Sequence, residues 1–596
     1  MSNSVTWEKA GTGYWNVAAN WSGGKEPGSA DDVTLSSAKR VAVLFNATDT
    51  VASLTATNDL LYMLSQTLTV TGDTDLAGGL NETGGTLSLD GLANTIGGGV
   101  SIASGDLTLG TGDALTLRGA TFGATDSNDG AHVYGDGTMV TAGTVNIAED
   151  GGLAELWMGD GLIWKNTGTV VMAGIVNAYY NAGIAFTIYN QAHAVFDFTT
   201  DVACLMNAGM QNGQGQEVTA SSDYNNAGLL EKTGGTGDTT VYSTITSTGT
   251  IEITTGTIDI EDGGTIGGTI EGVGTLQFAD GGTLHGAQMV ATTVYESGGD
   301  LIIDGATVSG NLIVAAQADQ FAALTLGSAT DSGALVVEGT YNIDNLSGIA
   351  QGSAGGTIAI TALGTLAKIG YKGAENIGPG INDGGEILVA DGMLRLSRGL
   401  SGTGGVTIDN GASFEVAGSV ASGIIVTLGT SSDLLINHLS EFAGEVSNFV
   451  EGDTLDIGQK ITGATAASDG TLTLLDNGVS VGTLRLAQND SGDIFSTGTD
   501  GNGGTLLEIT GADAVTPSGA ADLSLGRMDF VAAPAVSGKA AQDAKLDGKA
   551  VVLHDAWAGP AGAVAERTIG LIDLSGTQAS ALLLGHHGHA VPPHFG

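Results

Sequence analysis

The sequence predicts an all-β chain: a right-handed parallel β-helix (β-solenoid) with a small C-terminal β module. Three observations predict it. Short alternating runs closed by Gly, Asn or Asp recur, as in TLTV at 67–70, TLSL at 86–89, LTLG at 107–110 and LTLR at 115–118. Alternation with period two marks half-buried strands rather than helices. Leu68, Leu87 and Leu107 return at intervals of 19 and 20 residues, the length of one solenoid rung. Gly supplies 99 of the 596 residues, and a rung that bends several times needs residues that tolerate positive φ.

Four segments follow in order. Residues 1–35 read as an N-terminal cap of the solenoid, because Trp7, Trp15 and Trp21 hold half of the six tryptophans there. Residues 36–435 read as the parallel β-helix body. Within it Asn-Ala-Gly returns at 181–183, 207–209 and 226–228 and becomes Ser-Thr-Gly at 247–249. The stretched first interval is expected to be a turn grown into a loop. Leu, Ile and Val are expected inside and Thr, Ser and Asp outside, with rungs stacked at about 4.8 Å. Roughly 20 such rungs make a rod on the order of 100 Å long, whose narrow interior is expected to exclude aromatic rings. Residues 436–511 read as the C-terminal β module. Residues 512–596, with a shifted composition, read as a linker and a C-terminal secretion or anchoring tail.

Composition limits the function. Asp and Glu number 64 against 18 Lys and Arg, a formal charge of -46, which repels nucleic acid and anionic membranes and attracts cations. A hydrophobic content of 42 % is too high for a disordered chain. The lone Cys204 cannot form an intramolecular disulfide and is expected to be a small buried hydrophobe. The N-terminus, MSNSVTWEKAGTGYW, has no basic stretch leading into an apolar one, and no apolar run is long enough to span a bilayer. The expectation is a chain without a Sec leader or membrane span.

Catalytic signatures are missing. Gly24-Lys25, Gly538-Lys539 and Gly548-Lys549 lack the Ser or Thr of a phosphate-binding loop. There is no H-E-x-x-H and no Cys/His zinc spacing. Carboxylates on turns are plentiful instead. Asp126, Asn128, Asp129 and Asp136, then Asp453 with Asp456, Asp490 with Asp493, and Asp500 with Asn502 set hard oxygen donors on short loops. Ca²⁺ takes six to eight such oxygens, so these ten residues are the candidate Ca²⁺ ligands. Their alternative role is to brace turns by bonding to backbone. Four of the nine histidines, His586, His587, His589 and His594, crowd the last 11 residues; a mobile terminus is a simpler reading there than a metal site. His132, His193, His285 and His438 stand alone and read as ordinary rung or loop residues.

Three stretches carry a family resemblance. GYWNVAANWSGGKEPGSADDVTL, near the start, resembles the opening of bacterial autotransporter-type and related β-strand-repeat surface proteins. NTGTVVMAGIVNAYYNAGIAF and YNNAGLLEKTGGTGDTTVYSTITSTGTIEI, within 162–260, look like rungs of the same families. SEFAGEVSNFVEGDTLDIGQKI and the following DGTLTLLDNGVSVGTLRL, within 440–511, are similar to a C-terminal module of large secreted proteins of Gram-negative bacteria. The resemblance implies a parallel β-helix passenger at the cell surface. The 85 residues after 511 are too few for a membrane barrel, so it implies type I secretion with an uncleaved C-terminal signal. The calcium-binding nonapeptide G-G-x-G-x-D is not matched, since GGTGDT at 234–239 has its Asp one position early.

Two functions meet these constraints. The first is a non-enzymatic, secreted extracellular structural protein of a bacterial surface: a surface-layer subunit, matrix filament or adhesin. It would self-assemble with the help of Ca²⁺ and have cell-surface polysaccharide as a further partner. The alternative is a glycan-active β-helix enzyme, a polysaccharide lyase or hydrolase, with acidic pairs such as Glu149 with Asp150 or Glu261 with Asp262 as acid and base. Residues 119–394 hold only Lys165, Lys232, Lys368 and Lys372 as cations. That scarcity disfavours anionic glycans and leaves neutral or cationic ones open. Tyr179, Tyr180, Phe186, Tyr189, Phe196 and Phe198 form either a sugar-stacking stripe or an aromatic ladder.

Overall fold

The computed structural model describes residues 3–123, 130–147, 155–179, 186–202, 204–206, 209–211, 217–219, 222–344, 347–488, 491–512, 551–558 and 564–572. The chain divides into two units, Met1–Thr516 and Pro517–Gly596. The first is a parallel β-solenoid of about 19 turns with almost no helix. Most turns lay one strand on each of three faces, while Leu80–Leu89 and Val100–Leu109 bend across the second and third faces and Gly282–Glu296 and Asp300–Val314 run across all three. Asp31–Leu35, Ala42–Phe45 and Asp49–Val51 begin the first, second and third faces, and Ser53–Ala56, Leu60–Met63 and Thr67–Val70 stack on them in register.

Alternation positions the core as the pattern requires. Leu68, Leu87 and Leu107 are directly in register on the third face, and the column continues through Val133 and Met158, all fully buried. The corners explain part of the glycine content. A Cβ on Gly249 would strike the carbonyl of Gly228, and one on Gly268 would strike that of Gly249. Successive turns therefore nest only if this corner carries no side chain.

Aromatic rings do lie inside, contrary to the expectation for a narrow interior. Trp164, Phe196, Phe198 and Tyr224 are fully buried. Phe196 stands edge-on to Phe198 at 5.8 Å and to Tyr224 at 5.3 Å. Edge-to-face packing of this kind lets rings share a cross-section, and the third face leaves room by contributing the small Ala178 to the Trp164 turn. Phe186, Phe196 and Phe198 thus belong to a ladder in the core, while Tyr189 points outward and is partly exposed. Tyr180 lies outside the described residues, as does the side chain of Tyr179.

Both ends of the stack are covered. At the start Trp21 packs on Trp7 at 5.0 Å and on Trp15 at 4.7 Å, and Trp15 meets Phe45 of the next strand at 5.2 Å. Parallel pairing runs past residue 435, to Thr454–Ile457 on the second face and to Arg485 and Leu486 on the first. Antiparallel hairpins follow: Gly463–Ala466, Thr471–Asp476 and Val479–Leu486, then Asp493–Thr499 with Thr505–Ala512. Thr505–Ala512 pairs antiparallel with Thr454–Ile457, which terminates the second face. Pairing of this kind removes an open sheet edge.

In the second unit, Val551–Ala558 and Val564–Ile572 form an antiparallel pair. Among the described residues no helix is long and apolar enough to cross a membrane.

Candidate functional site

Two kinds of site carry the chain's chemistry: polar groups sealed at the corners of the solenoid, and a pocket where the C-terminal hairpins meet the last turns. The corner groups sit at the last inward position of a strand, where the chain bends and exposes unpaired backbone. On the first face Thr141, Asn166, Asn190, Asn226 and Ser247 form one such column. Asn166 Nδ2 donates to Asn190 Oδ1, and Asn190 Nδ2 to Asn226 Oδ1, each at 2.9 Å. The same amides also donate to the carbonyls of Val195 and Leu229 just beyond the bend. Each side chain therefore links the turn above to the turn below.

Charged residues occupy corners by the same logic. Lys232 is fully buried; its Nζ donates to Asp201 Oδ1 at 2.8 Å, to Thr239 Oγ1 at 2.8 Å and to the Gly234 carbonyl at 2.9 Å. The bond from Lys232, with backbone bonds from Gly237 and Thr236, holds the Asp201 carboxyl below the usual range. Lys368, in the Asn190 column several turns on, lies 3.7 Å from Glu375, with both side chains sealed, and donates to the Tyr371 carbonyl. Asp383 accepts from the Gly385 amide, and burial pushes its carboxyl up to about 6.

Glu82 is the exception. It is fully buried at the bend between the second and third faces, and neither carboxylate oxygen has a hydrogen-bond partner. Burial, then the nearby Asp106, raises its carboxyl well above the ordinary range. The bend leaves little room: Gly105 takes φ +112°, and a Cβ there would sit 2.9 Å from Glu82 Oε1.

The C-terminal pocket, of about 340 Å³, is lined by Arg395, Glu415, Asn437, Asp456, Asp500 and Asn502, among others. It brings together Asp456, Asp500 and Asn502, three of the ten candidate ligands. Register explains the meeting, because Glu415, Leu435 and Asp456 stack on consecutive strands of the second face and the closing hairpin lays the Asp500 turn beside them. Burial raises the Asp456 carboxyl, and Asp500, Asp433 and Glu415 add to the effect. Most of the other oxygens are engaged. Glu415 accepts from Arg395 Nε at 2.6 Å and Asn437 Nδ2 at 2.9 Å, and Asp500 Oδ1 accepts from the amides of Asn502, Gly503 and Gly504. Among the described residues no three His, Cys, Asp or Glu side chains are placed to hold a metal ion. The pocket as folded therefore lacks the six free oxygens of a Ca²⁺ cage.

The other candidate ligands are scattered. Asp453 is fully buried and braces a turn, accepting from the amides of Ser432 and Val450. Asp493 lines a separate cavity of about 510 Å³ with Gln488 and Glu451, and Asp136 accepts from Thr111 Oγ1. Asp126, Asn128, Asp129 and Asp490 lie outside the described residues, as do Glu149, Asp150, the C-terminal histidines and the side chain of Cys204.

Sequence reasoning missed the corner residues, although a signal exists. In IWKN, TIYN, DYNN and LLEK an alternating run ends on a polar residue at an inward position, just before a turn. Two histidines read as isolated also acquire partners on the neighbouring strand: His132 with Asp106 at 2.9 Å and His285 with Asp304 at 2.6 Å. The chain matches no family model, no curated protein and no solved structure.

Proposed function

We propose that the chain is a secreted structural protein of a bacterial cell surface, a surface-layer, matrix-filament or adhesin subunit that self-assembles with Ca²⁺ between its acidic faces. The observation that carries this reading is an outward column on the second face, Asp197, Glu231, Glu252 and Glu271, in register on consecutive strands. Like charges one strand apart repel. Burial, then Asp197 and Glu252, raises the Glu231 carboxyl. Two such faces can approach laterally only with cations between them, which makes Ca²⁺ a bridge between molecules rather than a caged ligand.

Electron microscopy and light scattering of the purified protein, with Ca²⁺ and after EDTA, test the reading. Ordered arrays or filaments that disperse on chelation are expected. Unchanged particle size and thermal midpoint after EDTA would remove Ca²⁺ from the reading, and monodisperse particles at every Ca²⁺ concentration would remove self-assembly.

One observation favours the glycan-active alternative. Asp259, outward on the third face, is pushed up to about 6 by burial, with Glu261 and Asp238 adding to it and a hydrogen bond from Gln277 opposing. A carboxyl poised there suits a general acid. New reducing or unsaturated ends in a panel of neutral glycans, lost in Asp259→Asn, would establish that alternative.

A further inference from the structure

We propose that copies of this chain join end to end, the N-terminal cap of one docking onto the C-terminal β module of the next. The two ends of the solenoid differ in charge. Residues 1–40 hold four of the 18 basic residues, Lys9, Lys25, Lys39 and Arg40, and all four are exposed. Of the four acids in that stretch, Asp31 is buried and Asp32 accepts from Ser53 Oγ at 2.9 Å, which leaves Glu8 and Glu26 exposed. Among the described residues none of the four cations enters an ion pair. The other end is the reverse. Residues 436–511 hold eleven acids and two bases, and both bases are spent locally, Lys460 on Asp476 at 3.5 Å and Arg485 on Glu445 at 2.6 Å. One stack therefore ends in a basic pole and an acidic pole.

Shape follows charge. The acidic pole holds a cavity of about 510 Å³ where the last turn meets the closing hairpin, walled by Phe449, Val450 and Ile509 and carrying the carboxylates of Glu451 and Asp493. Val450 is exposed. The basic pole offers the complement, since Tyr14 and Val17 stand exposed on the cap, between Lys9 and Lys25 in the chain. Apolar groups ringed by cations face apolar groups ringed by carboxylates.

The charge of the whole molecule favours this arrangement over a lateral one. At -46 overall, two rods repel along their flanks, whereas unlike poles attract and steer each other into line. The two surfaces are different, so each docked copy keeps one pole free. A heterologous contact of this kind propagates as a filament. This inference rests on the self-assembly reading and adds to it an axial contact that needs no Ca²⁺.

Sedimentation velocity and negative-stain electron microscopy of the full chain in EDTA test it. Single-file chains with an axial repeat of about 100 Å, the length of one rod, are expected at low ionic strength. Single rods are expected in about 0.5 M NaCl, where the Debye length is about 4 Å. Lys9→Glu with Lys25→Glu, or Glu451→Lys with Asp493→Lys, is expected to weaken association about ten-fold or more when studied alone. An equimolar mixture of the two variants is expected to restore chains, because the reversed poles complement each other and so do the intact ones. Thermal midpoints separate lost docking from lost folding, and Glu451→Lys with Glu508→Lys, both exposed, serves if the Asp493 change does not fold. A parent that is monomeric in EDTA at every salt concentration would overturn the axial contact, and arrays that still form with Ca²⁺ would leave the assembly reading standing. Monodisperse particles with Ca²⁺ as well would remove both. Chains formed by either variant alone, or a mixture that stays monomeric, would also overturn the proposal.

Discussion

The Asn190 corner and the Glu82 corner hold equivalent places, the last inward position before the chain bends, yet they solve the burial problem differently. Asn190 accepts from the turn above and donates to the turn below and to a bend carbonyl. Glu82 has no such bonds. An uncompensated polar group in the interior costs the free energy of leaving water, whereas a fully bonded one recovers most of it. The comparison teaches that a polar residue inside a solenoid stabilises the stack only where it serves the bend's own backbone.

Substitutions can break or sharpen this contrast. Stacked turns unfold in pieces, so denaturant titration should be paired with amide hydrogen exchange of the altered turns. The largest effect is expected for Lys368→Met, which removes the cation 3.7 Å from the sealed Glu375 carboxylate and should cost about 3 kcal/mol; a midpoint unchanged from the parent would show that the pair contributes nothing. Asn190→Ala strips a donor from Asn226 and from the Leu229 carbonyl and should cost about 2 kcal/mol, with faster exchange in the turns at 166–195 and 226–229.

Glu82→Met is expected to act in the opposite direction and stabilise by about 1 kcal/mol at pH 8. The sign follows from linkage. A carboxyl raised in the folded state favours folding while protonated, and that stability is lost as pH rises from 4.5, its ordinary value, through the raised one. The parent should therefore weaken across that window relative to Glu82→Met, and parallel pH profiles would contradict the assignment. A smaller effect of the same sign belongs to Asp383, between 3.8 and about 6, and Asp383→Asn should flatten it. Smallest is Arg395→Ala. The arginine is half-exposed, and a change of at most about 0.5 kcal/mol is expected in the same titration.

Much of the stack was legible in the sequence because its strands are short and its period is regular. Leu68, Leu87 and Leu107, 19 and 20 residues apart, pair directly. The Asn-Ala-Gly count was a poorer guide. Asn226 and Ser247 are true neighbours, bonded at 3.0 Å, but the column above them runs through Asn190 and Asn166, each in a different local setting. Loop insertions shift the count between turns, from 24 residues at Asn166–Asn190 to 36 at Asn190–Asn226. The candidate ligands show the same limit. Asp456, Asp500 and Asn502 share a pocket because a hairpin folds back on the last turn, while Asp453, three residues from Asp456, is consumed by bonds from the Val450 amide of its own turn and the Ser432 amide of the preceding one.

The sequence by itself determined the local grammar: short alternating runs with alternating burial, glycine at bends and an acidic exterior. Each follows from a residue's own sterics or charge. Only the tertiary structure decided which outward residues became neighbours, placing His132 beside Trp157 and Glu231 beside Glu252. Lateral contacts in a parallel stack join residues a whole turn apart, and the length of each intervening loop, not the local pattern, sets that register.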